Sequence, residues 1–96
     1  MIERLELIKA RYNELERELQ NPEIMSDYSM LKKLSKEHSD LEITVKKYEE
    51  LIKTEEEIKG LKEMSNDPEM VDLVSEELEN NEIKKENLVK ELELLL

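Results

Sequence analysis

The side chains with chemical potential in this chain are one histidine, several runs of carboxylates, a lysine-rich stretch and one glycine. An imidazole is the side chain best suited to move protons near neutral pH or to ligate a metal. His38 has no second histidine to work with. It also falls in register with Leu34, Leu41 and Val45 on an apolar stripe, where an amphipathic ring serves as a filler. Glu49-Glu50 and Glu55-Glu56-Glu57 supply neighbouring carboxylates. Hydrolytic acid–base chemistry needs two such groups across a cleft, with burial raising the pKa of one. Consecutive glutamates on a charged helix fan out into water instead. A calcium loop needs oxygen ligands at alternate positions around a glycine, and that spacing is absent. Gly60 is solitary, so there is no phosphate-cradling loop. With no cysteine there is no thiolate metal site and no disulfide framework. The expectation is a protein that is not an enzyme and uses no cofactor or metal.

The charge balance narrows the choice of partner. The chain of 96 residues carries a formal net charge of -11. Nucleic-acid binding draws most of its affinity from phosphate contacts to a basic face. Lys32-Lys33, Lys36 and Lys46-Lys47 make the middle of the chain its most basic part, but Glu37, Asp40 and Glu42 interleave with them, which reads as pairing along a helix. No direct nucleic-acid grip is expected; a basic protein surface is the natural complement. The opening Met1-Ile2-Glu3-Arg4 has no signal-peptide character. No apolar run approaches the ~18 residues of a membrane span, so a cytoplasmic protein without membrane attachment is expected.

These side chains must be held by helices. The chain is 43% charged and 38% hydrophobic, with one glycine and two prolines, a composition that suits long amphipathic helices. From Ile2 the apolar positions Leu5, Ile8, Tyr12, Leu15 and Leu19 alternate steps of three and four, a seam on one helix face. Leu7 lies off it. Asn21-Pro22 ends this helix, because the residue before proline is disfavoured in the helical region. Residues 21–27 connect to a second helix capped by Ser26 or Asp27. Its seam is Leu31, Leu34, His38, Leu41, Val45, Tyr48 and Ile52, after which the apolar residues move to Leu51, Ile58 and Leu61. This change of phase requires the buried face to rotate or the helix to bend or restart. The β-branched run Ile43-Thr44-Val45 weakens helix nearby, so a kink or break falls within 42–54.

Asn66-Asp67-Pro68-Glu69 opens the third helix, with Asp67 as cap and Pro68 at its first position. Met70, Val71, Val74, Leu78, Leu88, Val89, Leu92 and Leu96 share one face, interrupted by Asn81 and Lys85. The expected fold is all-α: residues 1–96 form a single domain, an antiparallel three-helix bundle or coiled-coil hairpin with helices at about 2–20, 27–64 and 68–95. The short first helix covers the 27–45 half of the second. Leu73, Ile83, Leu94 and Leu95 project away from the third seam and are the candidate interdomain or partner surface. The bare apolar end Leu94-Leu95-Leu96 is expected to continue into a longer protein.

Read in order, the chain resembles the N-terminal domain of bacterial class I peptide chain release factors. The residues that carry the resemblance are Ala10 to Glu16, Asn21 to Ile24, Leu34 to Glu42, Val45, Tyr48 to Leu51, Asn66 to Met70 and Glu91 to Leu96. The order and spacing of the two proline turns around Leu34 to Glu42 give the match its specificity. It is closer to the release factor 1 type, which reads UAA and UAG; the sister type tends to carry a tryptophan where this chain has Ile24-Met25. Ile43 stands where the family often has proline. The resemblance implies an accessory helical domain of a translation termination factor. Such a domain reaches toward the stalk base of the large ribosomal subunit and can contact the methyltransferase that modifies the Gly-Gly-Gln glutamine. The codon-reading and Gly-Gly-Gln elements are not in these 96 residues. As an isolated fragment it is expected to be a monomer or weak dimer. The alternative is a free-standing acidic coiled-coil adaptor or chaperone-like oligomer, with its seams paired between chains.

Overall fold

The computed structural model describes residues 1–96 and is all-helical: α1 (Ile2–Glu18), α2 (Pro22–Met25), α3 (Tyr28–Met64) and α4 (Val71–Leu95). The chain divides into two compact units, Met1–Lys46 and Lys47–Leu96. The helix α3 contributes residues to both.

In the first unit α1 lies against the opening half of α3. Leu5, Tyr12 and Leu15 of α1 are buried, as are Leu34, Thr44 and Val45 of α3; Ile8 and Leu19 are half-buried. The seam spacing therefore identifies the buried face of α1, and Leu7 is left 71% exposed. The connection holds a helical turn of its own. Asn21 accepts a hydrogen bond from the Glu23 amide through its side chain at 3.0 Å, and Pro22 occupies the first helical position of α2. Between the two expected caps for α3 the structure selects Asp27, whose carboxylate accepts from the Met30 amide at 3.1 Å. Ser26 instead donates to the Glu23 carbonyl at 3.2 Å.

In the second unit α4 runs alongside the closing half of α3. Tyr48, Leu51, Thr54 and Ile58 of α3 and Val74, Leu88 and Leu92 of α4 are buried. Residue numbers that rise along α3 pair with numbers that fall along α4, as in Lys47–Glu91 and Glu50–Lys84, so the two segments are antiparallel. The helix α4 begins at Val71, three residues beyond the expected start at 68. The Asp67 carboxylate accepts from the Glu69 amide two residues on, at 2.9 Å. This is the bond that Asn21 makes at the start of α2, and the Asp67 carbonyl accepts from the Met70 and Val71 amides at 2.9 and 3.2 Å, so Asp67 caps a single turn over 68–70 that leads into α4. Met70 then precedes α4 with no side-chain cap bond.

The helix α3 is continuous across 42–54. The phase change there is met by rotation of the buried face, not by a restart: Ile52 is 36% exposed while Leu51 is 2%. Thr44 and Thr54 are both buried at the crossover. The Thr54 hydroxyl donates to the Glu50 carbonyl one turn back at 2.8 Å, so a polar side chain enters the core with its hydrogen bond made.

Candidate functional site

His38 is held by two side chains of α1. Its ring stacks on Tyr12 with centroids 4.2 Å apart and planes 18° from parallel. Its Nε2 lies 3.2 Å from Oε1 of Glu16, within hydrogen-bonding distance. At the preceding residue of each helix, the Arg11 guanidinium makes a two-pronged contact with Glu37, Nε to Oε2 at 2.6 Å and Nη2 to Oε1 at 2.8 Å. Hydrogen bonding from Arg11 holds the Glu37 carboxyl below the usual glutamate range, and the same bond raises the Arg11 pKa. A forked arginine–carboxylate pair fixes orientation as well as distance. The cluster aligns α1 with α3. It offers no nucleophile and no cleft between two carboxylates, and no group of three His, Cys, Asp or Glu side chains gathers as a metal ligand set.

The carboxylate runs take no part in a cleft. Glu50 and Glu55 pair across to Lys84 and Lys85 at 3.2 and 3.6 Å, and Lys47 reaches Glu91 at 2.7 Å. These pairs sit on the flanks of the second unit and stitch α3 to α4. Of the lysines that give the middle of the sequence its basic character, Lys47 is used in this way, and Lys36 pairs with Asp40 at 3.0 Å along its own helix.

The apolar candidates on α4 are exposed: Leu73 70%, Ile83 51%, Leu94 88% and Leu95 41%. Ile83 and Leu94, eleven residues apart, lie nearly in line on the side of α4 away from Val74, Leu88 and Leu92, while Leu73, ten residues before Ile83, is turned about 80° toward the buried face, so the three make an irregular row. Leu95 falls about 100° around the helix from Leu94, nearer the buried face. The row is spaced along most of α4, with Asn80 and Asn87 between its members. Two features were missed by reading the sequence. The Arg11–Glu37 fork joins residues 26 apart in the chain, and helical periodicity carries no signal for a cross-helix charge pair. Thr54 counted as polar, although its i−4 bond makes it a core residue. No helix is long and apolar enough to cross a membrane.

Comparison with known proteins supplies what this geometry lacks. The family model for the PCRF domain matches residues 8–96. The chain is 42% identical over 99 aligned residues to peptide chain release factor 1 of Geobacillus sp. (strain WCH70), covering 100% of this chain and 28% of that protein. It is 38% identical over 99 residues to peptide chain release factor 1 of Clostridium botulinum (strain Hall), with the same coverage. It is also 38% identical over 96 residues to that of Geobacter sulfurreducens, covering 27% of its length. The chain thus spans a little over a quarter of the curated relatives it matches. No solved structure matches it. A family model that spans nearly all of these helices, together with full-length similarity to three release factors, establishes that the chain belongs to the PCRF-domain family, that of the N-terminal helical region of bacterial peptide chain release factors.

Proposed function

We propose that this chain works as the non-catalytic, N-terminal helical module of a peptide chain release factor that directs translation termination at UAA and UAG. The observation that carries the reading is the PCRF match over residues 8–96, joined to the release factor 1 relatives. A surface with no catalytic constellation but an exposed apolar row on an acidic helix suits binding and positioning better than chemistry. On this reading the chemistry of peptide release belongs to a longer protein, and these residues contribute contacts to the ribosome. By family resemblance the contacts lie at the stalk base of the large subunit, with the release-factor glutamine methyltransferase as a further partner. Leu73, Ile83, Leu94 and Leu95 form the interdomain or partner surface, and the site of action is the cytoplasm.

Co-sedimentation tests this. The chain should pellet with large ribosomal subunits, not with small subunits, and full-length release factor 1 should displace it. Failure to pellet with large subunits at any protein concentration would remove the ribosome-binding reading. The adaptor alternative predicts a stable oligomer instead; a monomer in sedimentation equilibrium at micromolar concentration rejects it.

A further inference from the structure

The closing part of the second unit contains a groove of about 560 Å³ whose lining includes Gly60, Leu61, Met64, Glu57, Glu77 and Asn81. Its origin can be followed to single residues. Gly60 leaves bare backbone on α3, where an added Cβ would meet nothing within 4 Å. On α4 the core face has no fully buried residue between Val74 and Leu88; Leu78, Asn81 and Lys85 are half-buried there, and Asn81 turns its amide back to donate to the Glu77 carbonyl at 2.9 Å. Glycine is a poor helix residue, and nothing inside the chain needs the space it leaves. Leu61 is half-buried and Met64 is 43% exposed, which gives the groove apolar walls.

The charges around it break the rule of the rest of the unit. Elsewhere an acid of one helix meets a lysine of the other, as in Lys47–Glu91, Glu50–Lys84, Glu55–Lys85 and Lys62–Glu82. Here Glu57 of α3 and Glu77 of α4 line the same groove, and neither is paired with a cation of the chain. Two like charges flanking an apolar floor lack the cation that completes each of those four pairs. From Glu63 to Glu82 the chain also contains no lysine or arginine that could turn in to supply it.

We propose that this groove docks a basic polypeptide segment. The aliphatic stem of one lysine or arginine lies over Gly60 against Leu61 and Met64, and its cationic head meets Glu57 and Glu77. Long cationic side chains bury their stems on apolar surface while the head stays with charge and water. A second copy of this chain brings another net charge of -11 to the same place, and a nucleic acid brings phosphates; both are repelled. The groove is a different surface from Leu73, Ile83 and Leu94, none of which lines it.

The test is fluorescence anisotropy at about 0.15 M salt, where long-range attraction between exposed charges is screened. The probe is a labelled amphipathic helix of leucine and lysine, about 14 residues long, compared with the same peptide carrying serine in place of leucine. Gly60→Leu fills the groove without changing charge. The pair Glu57→Gln/Glu77→Gln removes its acids, and the pair Glu76→Gln/Glu79→Gln removes as much charge outside it. Gly60→Leu and the groove pair should each weaken the leucine–lysine peptide about tenfold, and the outside pair less than twofold. The serine peptide keeps its lysines, so it should bind more weakly but still lose more to the groove pair than to the outside pair. Circular dichroism checks that each variant is folded. If the outside pair weakens binding as much as the groove pair, the attraction is general charge and the proposal fails. It fails equally if Gly60→Leu binds the leucine–lysine peptide as the parent does.

Discussion

At the scale of single residues, the positions that matter are those whose side chains depart from the pattern around them. Arg11 and Glu37 form the one forked ion pair between α1 and α3. Their side chains remain 36% and 37% exposed, so water screens the attraction and the pair acts chiefly as an alignment device. The Glu37 pKa is lowered in the folded chain, first by the Arg11 hydrogen bond. A depressed carboxyl pKa gives stability that is present above the ordinary range and lost as the pH falls through about 4 and below. Glu37→Gln should therefore lower the urea midpoint at pH 7, and the difference from the parent should shrink toward zero near pH 2–3. A difference that persists unchanged in acid would show that the ion pair is not its cause. Gly60 is the opposite case, a residue with no internal role. Gly60→Ala should raise stability by about 0.5–1 kcal/mol, since the methyl meets open space and the unfolded chain loses freedom. Thermal unfolding by circular dichroism measures it.

At the scale of elements, helical periodicity made most of the architecture legible. The step of three and four residues from Leu5 to Leu19 identifies the face that α1 buries, and the move from Ile52 to Leu51 and Ile58 marks where the buried face of α3 rotates. The ends were harder. Asp67 caps through the Glu69 amide, as its type and the following Pro68 suggest, but the turn it opens covers only 68–70 and α4 itself begins at Val71. Asp27 caps through the amide three residues on. Asp27→Ala should cost about 1 kcal/mol, within the roughly 0.5–2 kcal/mol measured for such caps, readable as a shift in the urea midpoint. The candidate surface was legible because Leu73, Ile83 and Leu94 fall off the apolar seam of α4. What they contact was not, since periodicity says which side is apolar and nothing about what covers it. Paired substitutions separate the two faces. Leu15→Ala or Leu92→Ala, at fully buried positions, should destabilise by roughly 2–5 kcal/mol. Leu73→Ala, on the exposed row, should stay within about 0.5 kcal/mol of the parent. A large loss at Leu73 would mean that the row is part of the internal packing.

At the scale of the whole molecule, the account is of a helical module whose value lies in its surfaces. Helices without a catalytic cluster, a PCRF match over residues 8–96 and relatives in which this region is about 28% of the protein all favour a part that positions a larger machine. The most direct test is to replace the matching 99 residues of the Geobacillus release factor 1 with this chain and to measure peptide release from ribosomes stalled at each stop codon. Release at UAA and UAG should be close to that of the parent factor, with none at UGA, and should fall clearly when Leu73→Asp and Ile83→Asp are introduced together into the grafted segment. A folded hybrid that releases no peptide at UAA or UAG would contradict the claim that this chain is a release-factor module.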